Sequence, residues 1–161
     1  MRRIVFVLLV ILNCGSLNAQ SKRETELWIS EKYNYYKYNN RLHKNNFLRF
    51  DSEKIILIKS YGSYSGISYQ NVESIKISPF KVDDREGFTI SFYCNSGNKC
   101  IEEGEYKNQH LIPEERKLNN YFSIYLDKKF EEDDMPKRME KALLHLIKLN
   151  GGEAIIKKEA F

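Results

Sequence analysis

The sequence predicts an α+β fold: an antiparallel meander of about seven strands in a curved sheet, with an N-terminal helix and an amphipathic C-terminal helix. Three observations predict it. Two stretches, residues 23–38 and 135–148, carry apolar side chains at helical spacing. Between them, from Phe47 to Leu126, run short β-branched and aromatic segments. The connections between those segments are too short for parallel crossovers, so the pairing is antiparallel.

The first residues set the compartment. Arg2 and Arg3 form a basic head, Ile4 to Leu12 is an unbroken apolar run, and "NCGSLNAQ" turns small and polar. This is the pattern of a secretory signal peptide over 1–19, cut after Ala19. The apolar run falls far short of the roughly 20 residues that span a bilayer. Asn13 before Cys14 fits a lipoprotein signal poorly. The expected product is one soluble domain over 20–161, periplasmic or secreted, with no stable membrane insertion. Cleavage removes Arg2 and Arg3 and leaves 24 of the 26 basic residues against 22 acidic ones, a mature net charge of +2. So small an excess implies no polyanionic partner, and no nucleic acid is expected.

Ser21 and Glu24 read as a capping box, followed by a helix whose face carries Thr25, Trp28, Ile29, Lys32 and Tyr36. Trp28, the only tryptophan, is its candidate anchor. The asparagine-rich "NNRLHKNN" breaks the pattern. Then come "FLRF", "IILIKSY", "GISYQNV" and "SIKIS", with "DSEK" and "SYGSYSG" as connections and Pro79 as the end of the block. "GFTISFYC" alternates Phe88, Ile90, Phe92 and Cys94 on one face, and "KCIEEGEY" reads as its hairpin partner. A polar loop over 107–120 and the strand "YFSIYL" follow. The last helix has Asp133 or Asp134 as cap, Pro136 in its first turn and an apolar stripe of Met135, Met139, Ala142, Leu143 and Leu146; Gly151-Gly152 stops it. Leu144 lies off that stripe, which marks a second contact and a candidate anchor near the Trp28 helix.

A meander closed by one amphipathic helix resembles the pleckstrin-homology-like barrel. The ending "RMEKALLHLIKLNGGEA" resembles the tail of small exported bacterial proteins of unknown function. The resemblance implies a binding domain rather than a catalyst, and it carries over no functional residue.

Cys94 and Cys100 are the only cysteines outside the leader. Metal binding needs about four ligands in close pairs, and His43, His110 and His145 lie in separate elements, so no metal or cofactor is expected. Cys-x-x-Cys redox chemistry does not match this spacing. A disulfide fits an exported chain best. Its register holds a conflict. A three-residue turn over 96–98 sets Cys94 opposite Cys100 but turns Glu102 toward the Phe92 face. A two- or four-residue turn brings Ile101 to that face and parts the cysteines.

"YGSYSG" lacks the lysine of a phosphate-binding loop. "EKYNYYKYNN" supplies tyrosines suited to a glycan or peptide groove. The expected function is an exported, non-enzymatic binding domain for a protein, peptide or envelope component, with residues 60–69 and 107–120 as its first surfaces. The alternative is a small hydrolase using Glu103, Glu105 or His110, although charge on "EEGE" also suits a solvated edge strand.

Overall fold

The computed structural model describes residues 21–38, 43–95, 99–114 and 119–157. The leader over 1–19, the turn over 96–98 and parts of the segments 39–46 and 107–120 lie outside the described residues. The described chain is the expected α+β fold: helix α1 (21–36), nine strands and helix α2 (Met135–Leu149). The strands are β1 (Phe47–Phe50), β2 (Lys54–Ile58), β3 (Ser63–Ser68), β4 (Val72–Val82), β5 (Arg85–Cys94), β6 (Glu102–Lys107), β7 (His110–Pro113), β8 (Tyr121–Asp127) and β9 (Ile155–Ile156).

The strands form two sheets, ordered β1-β2-β3-β6-β7 and β8-β5-β4-β9. Neither closes into a barrel. All pairings are antiparallel except β4 with β9. The order departs from a simple meander wherever the chain changes sheet, after β3, β5 and β7, and again where β9 pairs with β4. After β3 the chain builds the β4–β5 hairpin in the second sheet, then returns to lay β6 against β3. The expected partner of β5 is therefore corrected: β5 lies between β4 and β8, and β6 lies between β3 and β7. The glutamates of β6 are thus not on an edge strand.

Three further local expectations change. Of the expected connection "SYGSYSG" and the 60–69 surface, residues 63–68 are the largely buried strand β3, paired on both sides, so only the stretch before Ser63 is a turn. Pro79 does not end a strand; it pairs with Phe88 within β4. Beyond Ser74 and Ile75, which pair with β9, that side of β4 is an edge, where a missing N–H costs no ladder bond. The polar segment after Lys107 is half strand: Asn108 and Gln109, at φ 50° and 65°, make the two-residue turn between β6 and β7.

Both helices close the core between the sheets. Ile29, Tyr33 and Tyr36 of α1 are buried, spaced i, i+4, i+7, together with Met135, Met139, Leu143, Leu146 and Ile147 of α2. They meet Ile55, Leu57 and Ile67 from one sheet and Ile75, Ile90, Phe92, Phe122, Ile124 and Leu126 from the other. Trp28 and Leu144 are partly buried against this cluster. Trp28 lies beneath the Arg138 guanidinium, 5.7 Å from ring centre. Leu144 lines a shallow hollow with Gly151 and Ala154. The helix ends as expected, with Gly151 at φ 77° and its amide donating to the Lys148 carbonyl. Asp134 holds the cap position in a left-handed conformation without a side-chain cap bond. Its carboxylate instead pairs with Lys137 at 3.2 Å.

The five-stranded sheet is strongly curled. On a flat sheet β1 and β6 stand about 14 Å apart, yet the rings of Phe47 and Tyr106 meet at 6.0 Å between centroids. Arg49 likewise reaches the Gln109 carbonyl at the β6–β7 turn. Inside the curl Ile56, Ile58 and Tyr64 form a second small core, flanked by Tyr106 and Leu111. Gly66 and Gly104 leave room for it. A Cβ on Gly104 would stand 2.1 Å from the Ile112 carbonyl oxygen and 2.8 Å from the Tyr64 ring. The Tyr64 hydroxyl donates to Glu102 at 2.7 Å, and Lys54 donates to the other oxygen of that carboxylate at 2.6 Å. Burial alone would raise the Glu102 pKa, but these two donors hold it below its ordinary 4.5.

Gly104→Ala is expected to cost about 1–3 kcal/mol in urea unfolding, because neither the carbonyl nor the packed ring can yield cheaply. Gly66→Ala, whose Cβ would meet its nearest atom at 3.5 Å, is expected to cost far less. Glu102→Gln is expected to lower stability at pH 7 by about 1–2 kcal/mol. A depressed carboxylate pKa stabilises above the unfolded value and loses that contribution as pH falls through the folded one. The gap between wild type and Glu102→Gln should therefore shrink as unfolding is followed from pH 6 down to pH 3.

Candidate functional site

The two sheets part on one side, between the edge strand β8 and the core-facing side of β3 and β6. The opening is a cleft of about 370 Å³, within the range of small-ligand pockets. Its floor is apolar, made by Leu57, Phe122 and Ile124. Its walls are aromatic and polar. Tyr33 comes from α1, Tyr61 from the β2–β3 turn, and Tyr121 and Tyr125 from β8. Tyr61 and Tyr121 keep 68% and 51% of their surface exposed, and one face of the Tyr121 ring stacks on Tyr93 at 5.6 Å.

The polar group is centred on Glu103. Its carboxylate accepts from the Asn119 amide at 3.0 Å and from the Ser65 hydroxyl at 3.3 Å. The register forces this placement: Ser65 and Glu103 are cross-strand partners, and alternation turns both to the core side while Glu102 turns to the curl.

Asn119 is held by the returning chain. The amides of Cys100 and Ile101 both donate to its carbonyl, at 3.2 and 3.0 Å, and the Cys94 amide donates to Asn120 at 2.9 Å. Cys94 and Cys100 stand at disulfide geometry, Sγ to Sγ 2.05 Å and Cα to Cα 5.8 Å. The conflict of registers disappears because the two cysteines do not belong to one hairpin. Ile101 is fully buried in the Phe92 cluster while Cys100 still reaches Cys94.

Asn46 holds the opposite wall. It is 4% exposed, and its side-chain oxygen accepts from the Ser60 amide at 2.9 Å. Its side-chain nitrogen lies 3.2 Å from His43 Nδ1. One asparagine thus ties the turn bearing Tyr61 to the segment bearing His43. The His43 ring stacks on Tyr125 at 5.1 Å, and burial followed by the Arg85 charge lowers its pKa. Burial also raises the Tyr33 pKa, which keeps that phenol protonated at any physiological pH.

The flagged tyrosines divide. Tyr33 lines the cleft, Tyr36 is core, Tyr35 is exposed and Tyr38 packs edge-on against Phe80. Of the carboxylates and imidazole named for hydrolysis, only Glu103 lines the cleft. Glu105 pairs with Lys107, and His110 sits opposite Lys107 at the start of β7. The described residues bring together no set of three or more His, Cys, Asp or Glu suited to a metal ion. Asn46, Asn119 and Tyr121, which shape the cleft, drew no attention in the sequence. Asparagines in polar connections and a tyrosine at a strand start are ordinary there; only the fold assembles them.

No family model matches the chain, and neither a curated protein nor a solved structure matches it.

Replacing both cysteines by serine is expected to cost about 2 kcal/mol, the loop-closure value for so short a loop. Alkylation of the unreduced protein followed by mass spectrometry should find neither Cys94 nor Cys100 modified, and two alkylated thiols would remove the staple from this account.

Proposed function

We propose that the protein is an exported, non-enzymatic binding domain whose ligand enters the cleft between the sheets. The observation that carries this reading is the convergence there of exposed tyrosine rings and the Glu103–Asn119–Ser65 group over an apolar floor. Aromatic faces supply contact area at small entropic cost, and fixed polar groups orient what they bind. The walls are held by hydrogen bonds and by the staple, so the site is largely formed before binding.

Export is supported by the leader pattern over 1–19, where Ala19 precedes the expected cut. The Cys94–Cys100 pair suits an oxidising compartment outside the cytoplasm, periplasmic or secreted. Among the described residues no helix is long and apolar enough to cross a membrane. The open cleft, with one carboxylate among its described residues, supports recognition of a protein, peptide or envelope component over catalysis.

The test is capture from the native envelope fraction by tagged wild type and by the Tyr121→Ala, Glu103→Gln double variant. Molecules retained by wild type should fall at least about tenfold with the variant, since both contacts lie within one small site, while the melting temperature stays close to wild type. Equal retention by both proteins would move the site elsewhere. The captured chain should begin at Gln20.

A further inference from the structure

Building on that cleft reading, we propose that the ligand is an extended peptide that pairs with the cleft-side edge of β8 as an added antiparallel strand. The backbone of β8 points the way. Asn120 accepts from Cys94, so even-numbered residues of the strand face β5. Tyr125 accepts from the Tyr38 amide at 3.0 Å, so its carbonyl faces the other way. With the two-residue period of a strand, Tyr121 and Ser123 also turn their N–H and C=O groups toward the cleft. β8 has one strand neighbour, β5. Among the described residues no backbone hydrogen bond reaches Tyr121 or Ser123 from the cleft side.

The chain already completes this edge at both ends. Lys37 bridges Leu126 and Ile101 bridges Asn119, each antiparallel. Between those bridges, no described residue pairs with Tyr121–Ser123 on the side away from β5, along the wall of the cleft. From Asn119 to Tyr125 the edge runs about 20 Å, which an incoming segment of about four or five residues fills. Such a strand lies in line with residues 37–38 and 101, at the spacing they already define. Its side chains alternate between the Glu103 side and the rings of Tyr121 and Tyr125. A glycan satisfies the rings and the carboxylate but leaves two residues of oriented backbone donors and acceptors unused. The edge therefore favours a peptide.

The experiment pans a phage-displayed random heptapeptide library on the mature, oxidised protein and screens the same protein on a glycan array. Heptapeptides are expected whose binding falls at least tenfold in the Tyr121→Ala variant. Scanning one of them with single N-methyl groups should give losses of about tenfold or more at alternate residues. Intervening residues should change within about twofold, the period of a ladder in which every second amide is bonded. Equal tolerance at all positions, or selection of no peptide, overturns the proposal. Binding of a glycan that Tyr121→Ala abolishes, with no peptide selected, overturns the strand and keeps the cleft. If no peptide, no glycan and no captured envelope component depends on Tyr121, the cleft reading falls as well.

Discussion

The architecture turns on the passage from Cys94 to Glu102, where the chain leaves one sheet and enters the other. A short link between two strands normally makes a hairpin, because adjacent strands satisfy each other's backbone at least entropic cost. Here both strands are already provided for. β5 is satisfied by β4 and β8, and β6 by β3 and β7. The crossing is held by three backbone bonds to Asn119 and Asn120 and by the Cys94–Cys100 pair. Ile101 caps the core at the crossing, and Asn119, fixed by the same bonds, presents its amide to Glu103. Fold, staple and cleft thus share one cause.

The curl of the first sheet follows from that crossing. A β6 strand placed against β3 puts Gly104 beside Tyr64 and Gly66 beside Glu102. Two glycines on one face remove the side chains that keep a sheet open, and Tyr64 fills the hollow. Its hydroxyl then lies in apolar surroundings and needs a partner. Glu102 supplies it and is itself compensated by Lys54. Side-chain alternation along β6 sends Glu102 into the curl and Glu103 into the cleft. Neighbouring carboxylates so acquire unrelated duties, one holding the sheet's shape and one furnishing the site.

What the sequence disclosed, and what it withheld, divides along the same line. Elements governed by local chemistry were legible. The stripe of α2, the glycine stop after it and the strand alternation of "GFTISFYC" all reappear in place, since each depends on residues a few positions apart. Partner choice was not. β6 reads locally as the return strand of β5, and only the competing claims of β4 and β8 prevent it. Pro79 looked like a terminator because proline cannot serve a central ladder, but its strand is an edge at that point. Asn108–Gln109 looked like loop because its hairpin turn uses no glycine. At the site, Tyr33 and Glu103 lay in stretches already suspected of function. Their companions Asn46, Asn119 and Tyr121 carry no pattern that couples them to either, because the coupling exists only once the two sheets part.

The distribution of edges bears on why the cleft is there at all. Exposed strand edges invite pairing with other chains, and proteins blunt them. β1 is only four residues long and carries Arg49; β7 is equally short and ends in Pro113; β4 carries Pro79 and Lys81 beyond its short partner β9. β8 is treated differently. Its ends are met by Lys37 and Tyr38 and by Cys100 and Ile101, while Tyr121, Phe122 and Ser123 bring no charge, no proline and no bulge. An edge bridged at each end and, among the described residues, unpaired in the middle, beside exposed tyrosines and a positioned carboxylate, is what the strand-addition proposal rests on. Bridged ends leave room for a few residues at most, so the strand proposed to add there is short and differs from the long flat pairing that leads to aggregation.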